Sequence, residues 1–86
     1  IHRVFTGSLN TSVAHPREIF RSALLNNGAR ILVYHNHPSG NTEPSEADLI
    51  FTKRMEEAGS ILGIDLLDHI IVSGKEWLSL REYGIL

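Results

Sequence analysis

Apolar and polar positions in the first third of the chain predict a strand followed by a helix. Residues 3–9 are expected to form the strand, and the helix should begin at Pro16, because proline suits the first helical position. Asn27 and Gly28 should end this helix. Its buried stripe is expected where apolar residues recur at helical spacing, at Ile19, Phe20, Ala23 and Leu24.

A second strand is predicted at residues 30–34, which form a short apolar, partly β-branched run behind Gly28 and Ala29. This strand should end at His35 and His37. Because side chains alternate between the two faces of a strand, both histidines should point to one side and Asn36 to the other. Pro38 has no backbone N–H, so it should stop the strand and begin a loop. Two imidazoles are therefore expected side by side at the strand end.

A second helix should begin at Ser45 and extend to about Leu62. Serine is typical of helix N-caps, and Asp48 follows in the first turn, where the helix dipole favours a carboxylate. Gly63 is the residue type that commonly ends a helix. The apolar positions of the segment are Leu49, Ile50, Met55, Ala58, Ile61 and Leu62.

The last third of the chain predicts a hairpin. Residues 65–72 should form a strand, residues 73–75 a tight turn, and residues 76–80 the partner strand. The whole chain, residues 1–86, is expected to be a single domain of the α/β class, with a mixed β-sheet sandwiched by two main helices. A ligand cleft is expected at the carboxyl end of the histidine strand, beside the start of the second helix.

Three side chains in this region form a candidate zinc site: His35, His37 and Asp48. Three protein ligands leave one coordination position for water, which favours a catalytic over a structural metal. Ser45-x-x-Asp48 is by itself a common helix start, and His-x-His is equally weak alone. The specific signal is the combination of strand, proline, loop of fixed length and helix start.

This combination resembles the motif of the JAMM (MPN+) zinc metalloproteases, His-x-His-Pro, six residues, Ser-x-x-Asp, at every motif position. The chain is most similar to the bacterial RadC branch of that family, and the likeness covers nearly all of it. The resemblance implies a JAMM/MPN (cytidine deaminase-like) fold and the C-terminal domain of a longer protein. The resemblance to the RadC branch is carried by these segments: Gly7-Ser8-Leu9-Asn10, His15-Pro16-Arg17-Glu18, His35-Asn36-His37-Pro38-Ser39-Gly40 and Leu67-Asp68-His69-Ile70-Ile71-Val72.

The resemblance also implies a function, the hydrolysis of a peptide or isopeptide bond in a peptide or protein substrate by a zinc-activated water. It implies that His35, His37 and Asp48 are the zinc ligands. Ser45 matches the catalytic hydroxyl that stabilises the oxyanion of the tetrahedral intermediate.

The general base of JAMM proteases is a glutamate on an early strand, and residues 1–7 contain neither Glu nor Asp. Either this glutamate precedes Ile1, or His2 or Arg3 takes its place and hydrolysis is impaired. Glu18 and Glu43 are the nearest other carboxylates, and neither is assigned as the base.

Two alternative functions stay open. The chain could be a catalytically silent relative in which zinc holds the fold and the cleft binds another protein, or an accessory domain associated with DNA repair. The letters His-Asn-His do not support a nuclease, because HNH nucleases take these residues from separated positions. A net charge of −2 with scattered basic residues provides no field for a phosphate backbone, so direct nucleic-acid binding is not expected.

Composition excludes several other classes. The absence of cysteine rules out disulfides and thiolate zinc sites, including that of the cytidine deaminases, and suits a cytoplasmic protein. No apolar run approaches the ~20 residues that span a membrane, so no membrane partner is expected. His2, His15 and His69 are expected to lie outside the ligand set. Asp68 or His69 could instead orient a ligand imidazole. Oligomeric state cannot be read from the sequence.

Overall fold

The elements of the fold follow the predicted order. The computed structural model describes residues 4–9, 16–25, 27–28, 30–38 and 40–86, so the predictions for Arg3, His2 and His15 lie outside the described residues. The elements are β1 (Val4–Leu9), α1 (Pro16–Leu25), β2 (Arg30–Asn36), α2 (Glu46–Leu62), β3 (Asp65–Ser73) and β4 (Glu76–Ser79).

A four-stranded sheet with the order β1-β2-β3-β4 forms the centre of the described residues. β2 lies parallel to both β1 and β3, and β4 pairs antiparallel with β3, which confirms the predicted α/β class and mixed sheet. The ladder between β2 and β3 reaches beyond the last residue of β2, because the backbone N–H of His37 donates to Val72 O at 2.8 Å. The hydroxyl of Ser73 also donates to His37 O at 2.5 Å. The backbone of His37 is therefore held against β3 at the carboxyl end of β2.

Both helices pack on the same face of the sheet. Phe20 and Ala23 of α1, Met55 of α2, and Ile31 and Val33 of β2 belong to one buried cluster. The connections β1-α1-β2 and β2-α2-β3 join parallel strands and step in the same direction across the sheet. Because such connections are right-handed, both helices lie on the same side of the sheet. This refines the prediction of a sheet sandwiched by two helices, because α1 and α2 form a single layer.

The buried face of α2 differs from the predicted apolar stripe. Only Met55 of that stripe is buried, whereas Ile50, Ile61 and Leu62 are exposed, Ile61 by 85%. The predicted burial of Leu24 in α1 is also wrong, since this residue is exposed. The face of α2 that meets the sheet repeats at helical spacing through Asp48, Thr52, Met55 and Gly59. Half of this face is polar, so hydropathy alone does not reveal it.

Gly59 allows the end of α2 to approach the following chain. A Cβ at this position would lie 2.2 Å from the carbonyl oxygen of Ile64, whose own N–H donates to Gly59 O at 2.9 Å. At an ordinary helical position, glycine to alanine stabilises a protein, because alanine has the higher helix propensity. At Gly59 the steric overlap should instead make the change to alanine destabilising.

We expect Gly59→Ala to lower the free energy of unfolding by about 3 kcal/mol, as overpacking does in a rigid interior. Urea denaturation measures the change. Ser60→Ala, at the exposed neighbouring position of the same helix, is the control and should have little effect. A Gly59→Ala protein as stable as the wild type would contradict the close approach.

No helix within the described residues combines the length and the apolar character that crossing a membrane requires.

Candidate metal centre

Asp48 is placed by the N-terminal cap of α2. Ser45 has extended backbone angles and accepts a hydrogen bond from the N–H of Asp48 at its Oγ, over 3.1 Å. In return the N–H of Ser45 donates to Asp48 Oδ2 at 2.8 Å. This reciprocal capping box fixes the side chain as well as the helix start. The carboxylate is 5% exposed and faces the end of β2.

The structure brings His35, His37 and Asp48 together at the carboxyl end of β2. His35 Nδ1 lies 3.0 Å from Asp48 Oδ1, and His37 Nε2 lies 3.0 Å from Asp48 Oδ2. The two rings are edge to face with their centroids 4.7 Å apart. Strand alternation and the helix cap therefore bring the three candidate ligands together, with Ser45 directly beside them.

A hydrogen bond to the loop fixes the orientation of His37. Its Nδ1 lies 3.0 Å from the carbonyl oxygen of Asn41. A carbonyl can only accept, so Nδ1 carries the proton and Nε2 keeps a lone pair next to Asp48. Histidines that bind metals in proteins commonly donate their second nitrogen to a carbonyl in this way.

His35 provides the test of whether these residues fit a metal ion. Its Nδ1 is buried and, although 3.0 Å from Asp48 Oδ1, makes no hydrogen bond of acceptable geometry with the residues that the structure describes. The ligands of a tetrahedral zinc ion lie about 3.3 Å apart, since each is about 2.0 Å from the metal. The spacing is therefore close to that of ligands around a shared ion, and the donor types are those that zinc prefers. The residues fit the metal.

Local interactions keep the Asp48 carboxyl ionised. Burial acts to raise its pKa, but hydrogen bonds from Ser45 and the nearby imidazoles of His35 and His37 outweigh burial and leave the pKa below its usual range. A carboxylate is the form that coordinates metal, so the site is prepared for binding near neutral pH.

His69 lies close to this site, although the sequence predicts a place outside the ligand set. One ligand atom from each of His35, Asp48 and His69 falls within 4.8 Å of the others. The His69 ring is 1% exposed and contacts Phe51 edge to face. Thr52, one turn after Asp48 on the buried face of α2, bonds to His69, and no pattern in the sequence indicates this contact.

Asp68, the other candidate partner of a ligand imidazole, is used elsewhere. Its carboxylate accepts hydrogen bonds from the hydroxyl of Ser79, from the backbone N–H of Arg81 at 3.1 Å and from the backbone N–H of His69 at 2.8 Å. The bonds from Ser79 and Arg81 join β3 to the end of β4 and to the chain just after it. The role of Asp68 shown by these contacts is to hold the hairpin.

Burial of His69 makes the stability of the metal-free protein depend on pH. Burial lowers its pKa to about 4, and neighbouring charges, of which the Asp48 carboxylate raises it most, do not offset this. The unfolded chain, with an ordinary histidine pKa of about 6.5, binds the proton first as pH falls. The stability that the neutral, buried His69 contributes is therefore present in full above pH ~6.5. It is lost as the pH falls towards 4.

In the presence of a chelator, the free energy of unfolding should fall by about 2 kcal/mol between pH 7 and pH 5 through this one group. Urea denaturation at both values measures it. The His69→Asn protein serves as the comparison, because it lacks the titrating ring and should show a smaller fall. Equal falls in both proteins would contradict a neutral, buried His69.

Comparison with known proteins identifies the family. The family of RadC-like JAB domains matches residues 1–85, and the chain belongs to this family. It is 62% identical over 79 residues to a UPF0758 protein of Enterococcus faecalis, a match that covers 92% of this chain and 34% of the relative. A UPF0758 protein of Listeria welshimeri is 54% identical over 81 residues, covering 94% of this chain and 36% of the relative.

The relatives are longer than this chain. A UPF0758 protein of Clostridium beijerinckii is 52% identical over all 86 residues, which make up 38% of its length. The chain thus spans little more than a third of the curated relatives it matches. Their names state a family and no activity.

Proposed function

We propose that this chain forms one zinc-dependent hydrolase domain of the JAMM type, which cleaves a peptide or isopeptide bond. The observation that carries the proposal is the convergence of His35 and His37 on the two oxygens of Asp48, each at 3.0 Å. When bound, zinc supplies a Lewis acid that lowers the pKa of a water molecule towards ~7 and polarises a carbonyl group.

The partial exposure of the histidines supports a catalytic use of the metal. The side chains of His35 and His37 are 20% and 15% exposed, whereas Asp48 on the helix side is 5% exposed. The group is therefore buried towards α2 and open towards solvent. A structural zinc is closed on all sides by protein ligands, whereas a catalytic zinc keeps a position for substrate.

Ser45 is suited to donate a hydrogen bond to the substrate. The N–H of Asp48 occupies a lone pair of the Ser45 hydroxyl, which leaves the hydroxyl proton available for another acceptor. Ser45 is exposed and stands at the N-terminus of α2, where the helix dipole favours negative charge. An oxyanion that develops on the substrate carbonyl would be stabilised by both effects.

The substrate class follows from the same site. We propose a peptide or protein substrate and no nucleic-acid partner, because the net charge is −2 and the basic residues are scattered along the sequence.

Zinc-dependent cleavage of a mixture of peptides and lysine-linked isopeptides, followed by mass spectrometry, tests the proposal. The full-length gene product is the protein to assay, because the glutamate base of the family is absent from residues 1–7. We expect cleavage that is lost on chelation, restored by zinc, and absent in His35→Ala. Cleavage that persists in His35→Ala, or no cleavage by the zinc-loaded protein, would contradict the proposal.

A further inference from the structure

His69 has one ring nitrogen that forms no hydrogen bond with any of the described residues. Its Nδ1 lies 2.7 Å from the hydroxyl oxygen of Thr52, and that hydroxyl donates its single proton to the carbonyl oxygen of Asp48, also at 2.7 Å. The hydroxyl can therefore only accept from the ring, so Nδ1 carries the proton. Nε2 then has a lone pair and no proton. This buried atom has no hydrogen-bond partner in the part of the chain that the structure describes.

This arrangement repeats the pattern seen at His37. In both residues Nδ1–H donates to an oxygen, Asn41 O for His37 and Thr52 Oγ1 for His69, and Nε2 is left as a donor atom for a metal. The oxygen that orients His69 is itself bonded to the backbone of Asp48, one of the candidate ligands. Thr52 thus links the orientation of His69 to the helix turn that positions the carboxylate.

Two buried ring nitrogens in the described residues lack a hydrogen bond, His35 Nδ1 and His69 Nε2. Both residues belong to the group whose ligand atoms lie within 4.8 Å of one another, together with Asp48. The ligands of a tetrahedral zinc ion lie about 3.3 Å apart, so the group must close by up to about 1.5 Å to reach coordination distance. An unsatisfied buried polar atom costs about 1–3 kcal/mol, and one ion would satisfy both nitrogens.

We propose that His69 is a further metal ligand through Nε2, so that the protein supplies three imidazoles and one carboxylate. The inference rests on the zinc site proposed above and extends its ligand set into the floor of the site, between β3 and α2. Zinc also accepts five ligands, so four protein donors are compatible with the proposed hydrolysis.

X-ray absorption spectroscopy of the zinc-loaded protein tests the inference, because it counts the imidazoles around the metal directly. We expect three imidazoles in the wild type and two in His69→Ala. The matched control is His15→Ala, a change at another of the five histidines of the chain, which should keep three. If His69→Ala does not fold, the wild-type count still decides.

Two imidazoles in the wild type, or a count that falls in His15→Ala and not in His69→Ala, would overturn the inference. With two imidazoles the zinc site proposed above stands, and His69 lies outside it. A protein that binds no zinc at all would instead refute the proposed function together with this inference.

Discussion

Asp48→Asn should weaken zinc binding by at least about a hundredfold, because loss of even an outer partner of a metal ligand costs ten- to a hundredfold. The two carboxylate oxygens of Asp48 each face one histidine, at 3.0 Å. An asparagine offers one oxygen and one NH₂ group, and the NH₂ group has no lone pair for a metal. The oxygen can still accept the N–H of Ser45, so the helix cap is largely kept.

Competition with a chromogenic zinc chelator measures this change. Asp65→Asn is the matched control, since Asp65 is an exposed carboxylate at the start of β3 and should leave the affinity unchanged. If Asp48→Asn and Asp65→Asn bind zinc equally well, Asp48 is not a ligand.

Ser45→Ala should have two separate effects, on stability and on turnover. Loss of the acceptor for the N–H of Asp48 should lower the free energy of unfolding by about 0.5–2 kcal/mol, the usual value of an N-cap. Loss of the hydroxyl donor should lower kcat by roughly ten- to a thousandfold, the range for one oxyanion donor. Zinc content should stay the same, because Ser45 is not in the proposed ligand set.

Ser60→Ala, at an exposed serine of the same helix, is the control for both measurements. Kinetics with the substrate identified by mass spectrometry separate the two effects. A Ser45→Ala protein that is less stable but turns over at the wild-type rate would show that Ser45 only caps the helix.

The sequence was sufficient to predict that the candidate ligands and Ser45 lie close together, because each part of this arrangement depends on local rules. Strand alternation put His35 and His37 on one side, and the capping residues Ser45 and Asp48 marked the start of α2. The mixed sheet followed from the order of the elements. The structure added the distances that bring these residues together.

The buried face of α2 could not be predicted, because tertiary packing overrides the hydropathy pattern of this helix. The buried face contains Asp48, Thr52 and Gly59, which are polar or lack a side chain, while Ile61 is exposed. Asp48 and Thr52 are buried because they make the hydrogen bonds described above. Gly59 is buried because the chain after the helix folds back against it.

The place of His69 was also beyond the sequence, because it depends on the register between two strands. Val33 pairs with His69 across β2 and β3, after an irregularity between Ile31 and Leu32. That register puts the ring beneath His35 and next to Thr52. A shift by one residue would turn His69 to the other face of the sheet.

Elemental analysis of zinc in the purified wild type and in His37→Ala, after removal of any affinity tag, tests the central claim most directly. The proposed site predicts one zinc ion per wild-type chain and a strongly reduced content in His37→Ala, because His37 Nε2 is held towards Asp48 by the bond from Nδ1 to Asn41. Equal zinc content in the two proteins would contradict the assignment of His35, His37 and Asp48 as the metal ligands.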